Sequence, residues 1–252
     1  MDVATWRDMA TADTTYRVFQ RGSWPGSVSL RRGWARAEAR PWNDTFDDAH
    51  LRLVRGGSGF LSDCTQRLMD LGAPSVLSTP LAESARPPWE SAGFVPDIDL
   101  ALMRLSLDRD VPAPNHLVHR SAEVDLDVLL CIDQAAFEGF WRFDRNALDE
   151  ATHATAKSDT FIIKDGDEGA TGYAIVGYGH AISYLQRVAV HPKWQGQGMG
   201  RSLIRAVARG ARRSGSKALL LNTKSENEQA ISLYESEGYV LLPESLAVLR
   251  AG

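Results

Sequence analysis

The sequence predicts an α/β (α+β) protein whose mixed sheet is flanked by helices, and three observations point to it. Val188–Arg201 (Val-Ala-Val-His-Pro-Lys-Trp-Gln-Gly-Gln-Gly-Met-Gly-Arg) runs from a strand through a proline-marked turn and a glycine-rich loop into a helix. Short apolar runs of strand length alternate with helix-period segments over the C-terminal half. Asp165-Gly166-Asp167-Glu168-Gly169 is a turn that joins two such runs.

Taken in order, His116–Arg120 is a first strand. Val124–Ala136 is a helix with Leu126, Leu129, Leu130 and Ile132 at helical spacing. Phe137–Trp141 forms an aromatic loop, and Asp144–His153 a second short helix. Thr160–Lys164 and Thr171–Gly177 are strands, and Ala181–His191 is a long strand feeding the glycine loop. In the helix after that loop, Leu203, Ile204, Val207, Ala208 and Ala211 make one apolar stripe. Arg201, Arg205, Arg209, Arg212 and Arg213 take the opposite face, which from Arg205 onward reads as a solvated basic surface. Lys217–Asn222 is a short buried strand. Ala230, Ile231, Leu233 and Tyr234 then recur at helical spacing, and Gly238 closes that helix.

Composition narrows the partners. The 252 residues suffice for one large domain or two small ones, and the formal charge is −4 with no long basic run, which argues against nucleic acid. No apolar run approaches membrane-spanning length, and Met1–Asp8 does not read as a signal peptide. Cys64 and Cys131 have no metal or redox spacing and are expected as free thiols of a cytoplasmic protein, with no metal site. The N-terminal half differs in character: no lysine precedes Lys157, and it holds five of the seven tryptophans. Val111-Pro112-Ala113-Pro114-Asn115 reads as a linker, dividing the chain into domains 1–110 and 116–252.

The glycine loop has a definite chemistry. A loop entering a helix leaves backbone N–H groups unpaired at the positive end of the helix dipole, a seat for phosphate or pyrophosphate. Glycines at 196, 198 and 200 allow a close approach of the backbone. Met199-Gly200-Arg201-Ser202 is not the Lys-Ser or Lys-Thr of a Walker loop, and Gly200 in place of a glycine at 201 fits the dinucleotide fingerprint poorly. Downstream, Asn227 and Tyr234 lie two helical turns apart, roughly 10 Å along the axis, so a side-chain amide and a phenol reach two points on one ligand.

Gln195-x-x-Gly198-x-Gly200 after the proline turn, followed by Asn227-x-x-Ala230-x-x-Leu233-Tyr234-x-x-x-Gly238-Tyr239, resembles the GNAT superfamily of acyl-CoA-dependent N-acetyltransferases over about residues 116 to 252. The resemblance implies a mostly antiparallel central sheet and acetyl-CoA as the cofactor. It implies coenzyme contacts from Val188, Ala189, Val190, Gln195, Gly196, Gln197, Gly198, Met199, Gly200, Arg201, Asn227 and Tyr234, with Tyr234 as the catalytic general acid on the leaving thiolate. Family members often carry a glutamate on the strand before the loop, where this chain has Tyr184. By strict alternation Tyr184 and Gln186 share a face with Val188 and Val190, and Arg187 points the other way. Glu138, Asp144, His180 and His191, or a water relayed by Tyr184 or Gln186, remain as bases. Glu138, Phe140 and Trp141, with Tyr184 and Gln186, are the acceptor-pocket candidates.

An internal echo extends the resemblance. Trp89-Glu90-Ser91-Ala92-Gly93-Phe94 parallels Tyr234-Glu235-Ser236-Glu237-Gly238-Tyr239, each followed by an alternating strand. Phe60–Leu71 has helical spacing and Pro74–Leu77 strand character. The N-terminal half thus resembles a degenerate second copy, a tandem GNAT-like arrangement. Arg52-Leu53-Val54-Arg55-Gly56-Gly57-Ser58-Gly59, where the glycine loop would lie, lacks the proline turn, Trp89 replaces the tyrosine, and Pro87-Pro88 is expected to cut its helix short. Two functions follow: transfer of acetyl to the amine of a small molecule or peptide, by a monomer or homodimer, or acyl-CoA binding for regulation without turnover.

Overall fold

The computed structural model describes residues 18–121, 125–164 and 169–252. The sequence readings at Met1–Asp8, at Val124 and at turn residues 165–168 lie outside these. The chain forms two compact units: residues 18–42, 47–96 and 249–252 make up the described part of the first, and 43–46 with 97–248 that of the second.

The first unit contains β1 (Phe19–Arg21), β2 (Val28–Arg32), most of β3 (Ala35–Asn43) and of β4 (Phe46–Arg55), α1 (Ser58–Asp70), β5 (Val76–Ser78), β6 (Leu81–Ala82) and α2 (Pro87–Glu90), and it ends where β7 (Val95–Ser106) begins. Its sheet runs β1-β2-β3-β4-β5, and beyond β5 lie Arg250 and Ala251. Alternation sets one face of it: Val28 and Leu30 on β2, and Ala35, Ala37 and Ala39 on β3, are buried. Helix α1 buries Phe60, Leu61, Cys64 and Leu68 at helical spacing. Because β4 and β5 are parallel, with Ala49 opposite Val76, α1 is a crossover helix. Pro87 and Pro88 occupy the first turn of α2, where no N–H is needed, and the helix is as short as expected, four residues against nine in α6.

The second unit carries β8 (Val118–Ser121), α3 (Leu126–Ala136), α4 (Arg145–His153), β9 (Ser158–Lys164), β10 (Ala170–Gly177), β11 (Ile182–Val190), α5 (Met199–Arg213), β12 (Ala218–Lys224), α6 (Glu228–Ser236) and most of β13 (Val240–Ala251). Its strand order is β13-β7-β12-β11-β10-β9-β8, antiparallel at β7/β12, β11/β10, β10/β9 and β9/β8, and parallel at β11/β12. The expected domain border at residues 110 and 111 is displaced. Strand β7 pairs with β12 from Leu100↔Lys224 to Ser106↔Ala218, which draws residues 97–110 into this unit.

Period-two alternation on β10 builds two cores. Ala174 and Val176 face α5, where Leu203, Ile204, Val207, Ala208 and Ala211 are all buried as their stripe predicts. Tyr173 and Ile175 face the opposite core with Leu129 and Ile132 of α3 and Leu148 of α4. Burying each such leucine or isoleucine contributes roughly 1.5–3 kcal/mol.

Arg209, Arg212 and Arg213 on the arginine face of α5 are exposed, as a solvated surface requires, and Arg205 is half-buried; three of the four also make bonds. Arg205 donates to the Ala113 carbonyl, Arg209 to the Val111 carbonyl, and Arg212 pairs with Asp110. The 110–113 stretch, expected as part of a free linker, is tied along the helix, with Val111 buried in the α5 core.

Candidate active site

Two parallel strands and a loop make the site. The β11/β12 register runs from Ile182↔Ala218 to Tyr184↔Leu220, after which the strands continue to Val190 and Lys224 without pairing. The cause is on the other edge of β11. Leu185 opposes Val176 and Arg187 opposes Ile175, so Gln186 is an extra residue, a β-bulge that bends the strand away from β12. Beyond it, His191 N–H donates to the Thr171 carbonyl on the β10 side. Alternation therefore turns the N–H groups of Val188 and Val190 toward the gap. The Gln195 side-chain amide donates to the Val190 carbonyl at 2.9 Å.

The bulge also corrects the strict alternation expected for β11. Leu185, Val188 and Val190 all pack on the α5 side, while Ala189 lies in the α3 core. Tyr184 pairs with Gly177, whose added Cβ would meet Thr155 and the Gln186 amide. Cross-strand partners share a face. Tyr184 and Gln186 therefore lie on the α4 side, away from the side chains of Val188 and Val190, and burial pushes the Tyr184 phenol up to about 12.

The loop enters α5 through two left-handed glycines, Gly196 (φ 75°) and Gly198 (φ 83°). Gly198 is the N-cap residue and has no side chain to cap with, and the first intrahelical bond is Ser202 N–H to its carbonyl. The N–H groups of Met199, Gly200 and Arg201 precede that bond and point out of the helix end. Gly200 is helical, and a Cβ there would make only ordinary contacts with Leu233 at 3.8 Å and Val190 at 3.9 Å. Protein packing alone does not require a glycine at 200. The Gln197 carbonyl is paired with the His116 ring at 2.9 Å, and the Met199 side chain is buried in the α5 core.

Tyr234 shares that core with Met199, and Val188, Val190 and Leu233 pack against it. Its ring lies 5.5 Å from that of Tyr239, and burial pushes its phenol up to about 12, with Arg187 pulling weakly the other way. Asn227 is exposed and caps α6, its side-chain oxygen accepting from Ala230 N–H at 3.2 Å. Arg201 is held by the Ser236 hydroxyl and the Glu237 carboxylate, each at 3.1 Å, and Arg205 also grips Glu237 through two bonds.

The acceptor-side candidates gather on the Glu138–Arg142 segment, a 3-10 turn at Gly139–Trp141. Phe140 and Trp141 stack edge-on at 5.3 Å, and the Lys224 ammonium, from the end of β12, sits 4.7 Å from the Trp141 ring centre. Glu138 is exposed on the same segment. Asp144 caps α4 by accepting from Ala147 N–H, His191 accepts from Lys193 N–H, and His180 is exposed.

Sequence reasoning missed Asp133 and Arg187. Asp133, fully buried, accepts from Arg187 Nε and Nη2 at 2.7 and 2.8 Å, from the Tyr173 hydroxyl at 2.6 Å and from Phe143 N–H at 2.8 Å. The Arg187 guanidinium is stacked between Phe137 and Phe143 and donates to the Trp141 carbonyl at 2.7 Å. The one available signal was an aspartate interrupting the apolar face of a predicted helix. Among the described residues no group of three or more His, Cys, Asp or Glu side chains could hold a metal, and no helix is long and apolar enough to cross a membrane.

A strand that parts from its parallel neighbour, a glycine loop and an uncapped helix start thus lie together, and a helix start of this kind is one that anions can occupy. Residues 156–241 match the family described as acetyltransferase (GNAT) domain. An aminoglycoside N(6')-acetyltransferase type 1 from Stenotrophomonas maltophilia is 28% identical over 112 residues, 40% of this chain and 73% of that enzyme. A mycothiol acetyltransferase from Corynebacterium efficiens is 26% identical over 106 residues, 41% of this chain but 35% of that protein, so the match spans about a third of its length. A tandem GNAT protein from the clavulanic acid biosynthesis pathway shares the fold, with a TM-score of 0.62 at 13% identity over 89% of this chain and 82% of that one.

Proposed function

We propose that the chain is an N-acetyltransferase that moves acetyl from acetyl-CoA to a primary amine by direct attack in a ternary complex. The observation that carries this reading is the gap beyond Tyr184, opening onto the N–H groups of Val188 and Val190 and onto the uncapped start of α5. The donors suit the cofactor: Met199, Gly200 and Arg201 N–H groups for a pyrophosphate, and β11 amides for an amide-bearing arm. The room around Gly200, where packing would accept a side chain, fits a ligand lying close to the backbone. When bound, acetyl-CoA supplies an acyl thioester, a carbonyl activated toward amines.

The chain's own residues then have separate tasks. The N–H groups of β11 orient the carbonyl and stabilise charge developing on its oxygen. Tyr234, kept protonated far above neutral pH by burial, holds a proton at its hydroxyl for the departing sulfur; the proton lost by the attacking amine passes to water, from which the phenolate is reprotonated. The Phe140–Trp141 loop walls the acceptor side. Regulatory binding without turnover is the alternative, favoured by the absence of a carboxylate on Tyr184-Leu185-Gln186-Arg187.

In the N-terminal unit we propose a degenerate copy of the same architecture. Gly93 (φ 91°) and Gly238 (φ 88°) close the two echoed segments, and Phe94 N–H bonds the Trp89 carbonyl as Tyr239 N–H bonds that of Tyr234, both at 3.1 Å. Acetyl-CoA turnover, read as thiol release against a panel of amines and peptides, tests the main reading. Amine-dependent release supports it, and tight coenzyme binding without release against any amine favours the regulatory one.

A further inference from the structure

Asn43 is buried at the turn between β3 and β4, and it spends both ends of its amide. Its Oδ1 accepts from Thr45 N–H (2.9 Å), the Thr45 hydroxyl (2.8 Å) and Phe46 N–H (3.0 Å), closing the turn on itself. Its Nδ2 donates to the carbonyls of Gly139 and Arg142, each at 3.0 Å. Two further contacts join the same segments: Arg142 pairs with the Asp44 carboxylate, and the Phe46 ring meets Phe140 edge-on at 5.9 Å. Residues 43–46 belong to the second unit, some hundred positions in sequence from the loop they hold.

The loop needs such a tether. Residues 139–142 form no strand ladder, only one 3-10 turn in which Arg142 N–H donates to the Gly139 carbonyl at 3.2 Å, and Gly139 sits at φ 53°, so little of the segment's own bonding fixes it. Arg187 takes the Trp141 carbonyl, and Asn43 takes those on either side of it, so the backbone is gripped from both directions. The Phe140 ring meets Phe46 and Trp141 edge-on, so the rings are carried on the same fixed backbone.

We propose that Asn43 is a positioning residue of the acceptor site, holding the 139–142 loop as a preformed wall against which the amine docks. The proposal rests on the acetyltransferase reading. Its conservative test is Asn43→Asp, which keeps the acceptors that close the β3–β4 turn and removes the two donors to the loop. Wild type, Asn43→Asp and the milder Asp44→Asn are compared by amide hydrogen exchange, by acetyl-CoA affinity and by kcat and KM for an amine that the panel turns over. In Asn43→Asp, exchange in the loop rises about tenfold, KM for the amine rises about tenfold with kcat little changed, and acetyl-CoA affinity stays within twofold. Asp44→Asn moves the same quantities in the same direction by less. Unchanged loop exchange and unchanged KM in a folded Asn43→Asp would overturn the proposal, as would acetyl-CoA affinity falling in step with KM. Failure of the acetyltransferase reading shows instead in the wild type itself, as no coenzyme binding.

Discussion

Arg187 carries a charge into a place that water scarcely reaches, its guanidinium 3.7 and 3.8 Å from the ring centres of Phe137 and Phe143. Its bidentate pairing to Asp133 and the two further donors to that carboxylate make the burial tolerable. Removing one partner leaves the other buried and unpaired. Arg187→Ala is expected to destabilise the protein by about 3–5 kcal/mol in urea unfolding, and the Asp133→Ala/Arg187→Ala pair by less than the sum of the single changes. Tyr234→Phe tests chemistry at the same scale. It keeps the packed ring and removes the proton, so thiol release should fall about 100-fold with acetyl-CoA affinity nearly unchanged. A mutant as active as wild type would remove Tyr234 as the acid.

At the scale of elements, the start of α5 separates conformational need from ligand need. Gly198→Ala puts a Cβ on a left-handed residue (φ 83°) and should cost about 1–2 kcal/mol of stability in a thermal melt. Gly200→Ala meets only ordinary contacts in a helix and should melt no lower than wild type, or slightly higher. If the coenzyme lies against that turn, the same substitution weakens acetyl-CoA binding at least tenfold by calorimetry. Unaltered binding would move the phosphate seat elsewhere. The α5 stripe was legible because a helix buried on one side repeats its apolar residues every three or four positions. The β11 bulge was not, because Tyr184-Leu185-Gln186-Arg187-Val188 alternates without any local sign of an extra residue; its partner strand reveals it.

Across the whole molecule, the titration of the phenols reports integrity of the second unit. Tyr173, Tyr178, Tyr184, Tyr234 and Tyr239 are all held above the ordinary phenol value of 10.0, first by burial, Tyr184 and Tyr234 at about 12. In the unfolded chain they ionise near 10.0 while the folded protein keeps them neutral, so the unfolded state binds fewer protons in that window. Their stabilising contribution is complete below that value and is lost as pH rises through about 12. Tyrosinate absorbance should rise together with loss of near-ultraviolet circular dichroism, well above pH 10.0. Phenols titrating near their ordinary value in a protein of native dichroism would contradict the burial.

The local chemistry was written in the chain: the glycine loop, the apolar stripe of α5, and the echo ending at Gly93 and Gly238. Each depends on neighbours within a few positions, so spacing and residue type suffice to specify it. Tertiary structure alone decided where the second unit begins, since β7 follows its pairing with β12 rather than the prolines after it. It decided likewise that the arginines of α5 hold residues 110–113, that Asp133 meets Arg187 across 54 positions, and that Asn43 holds the loop at Gly139–Arg142. Those partners meet only when sheet and helices have assembled, and nothing in a short window of sequence specifies which distant donor a buried carboxylate or a loop carbonyl will find.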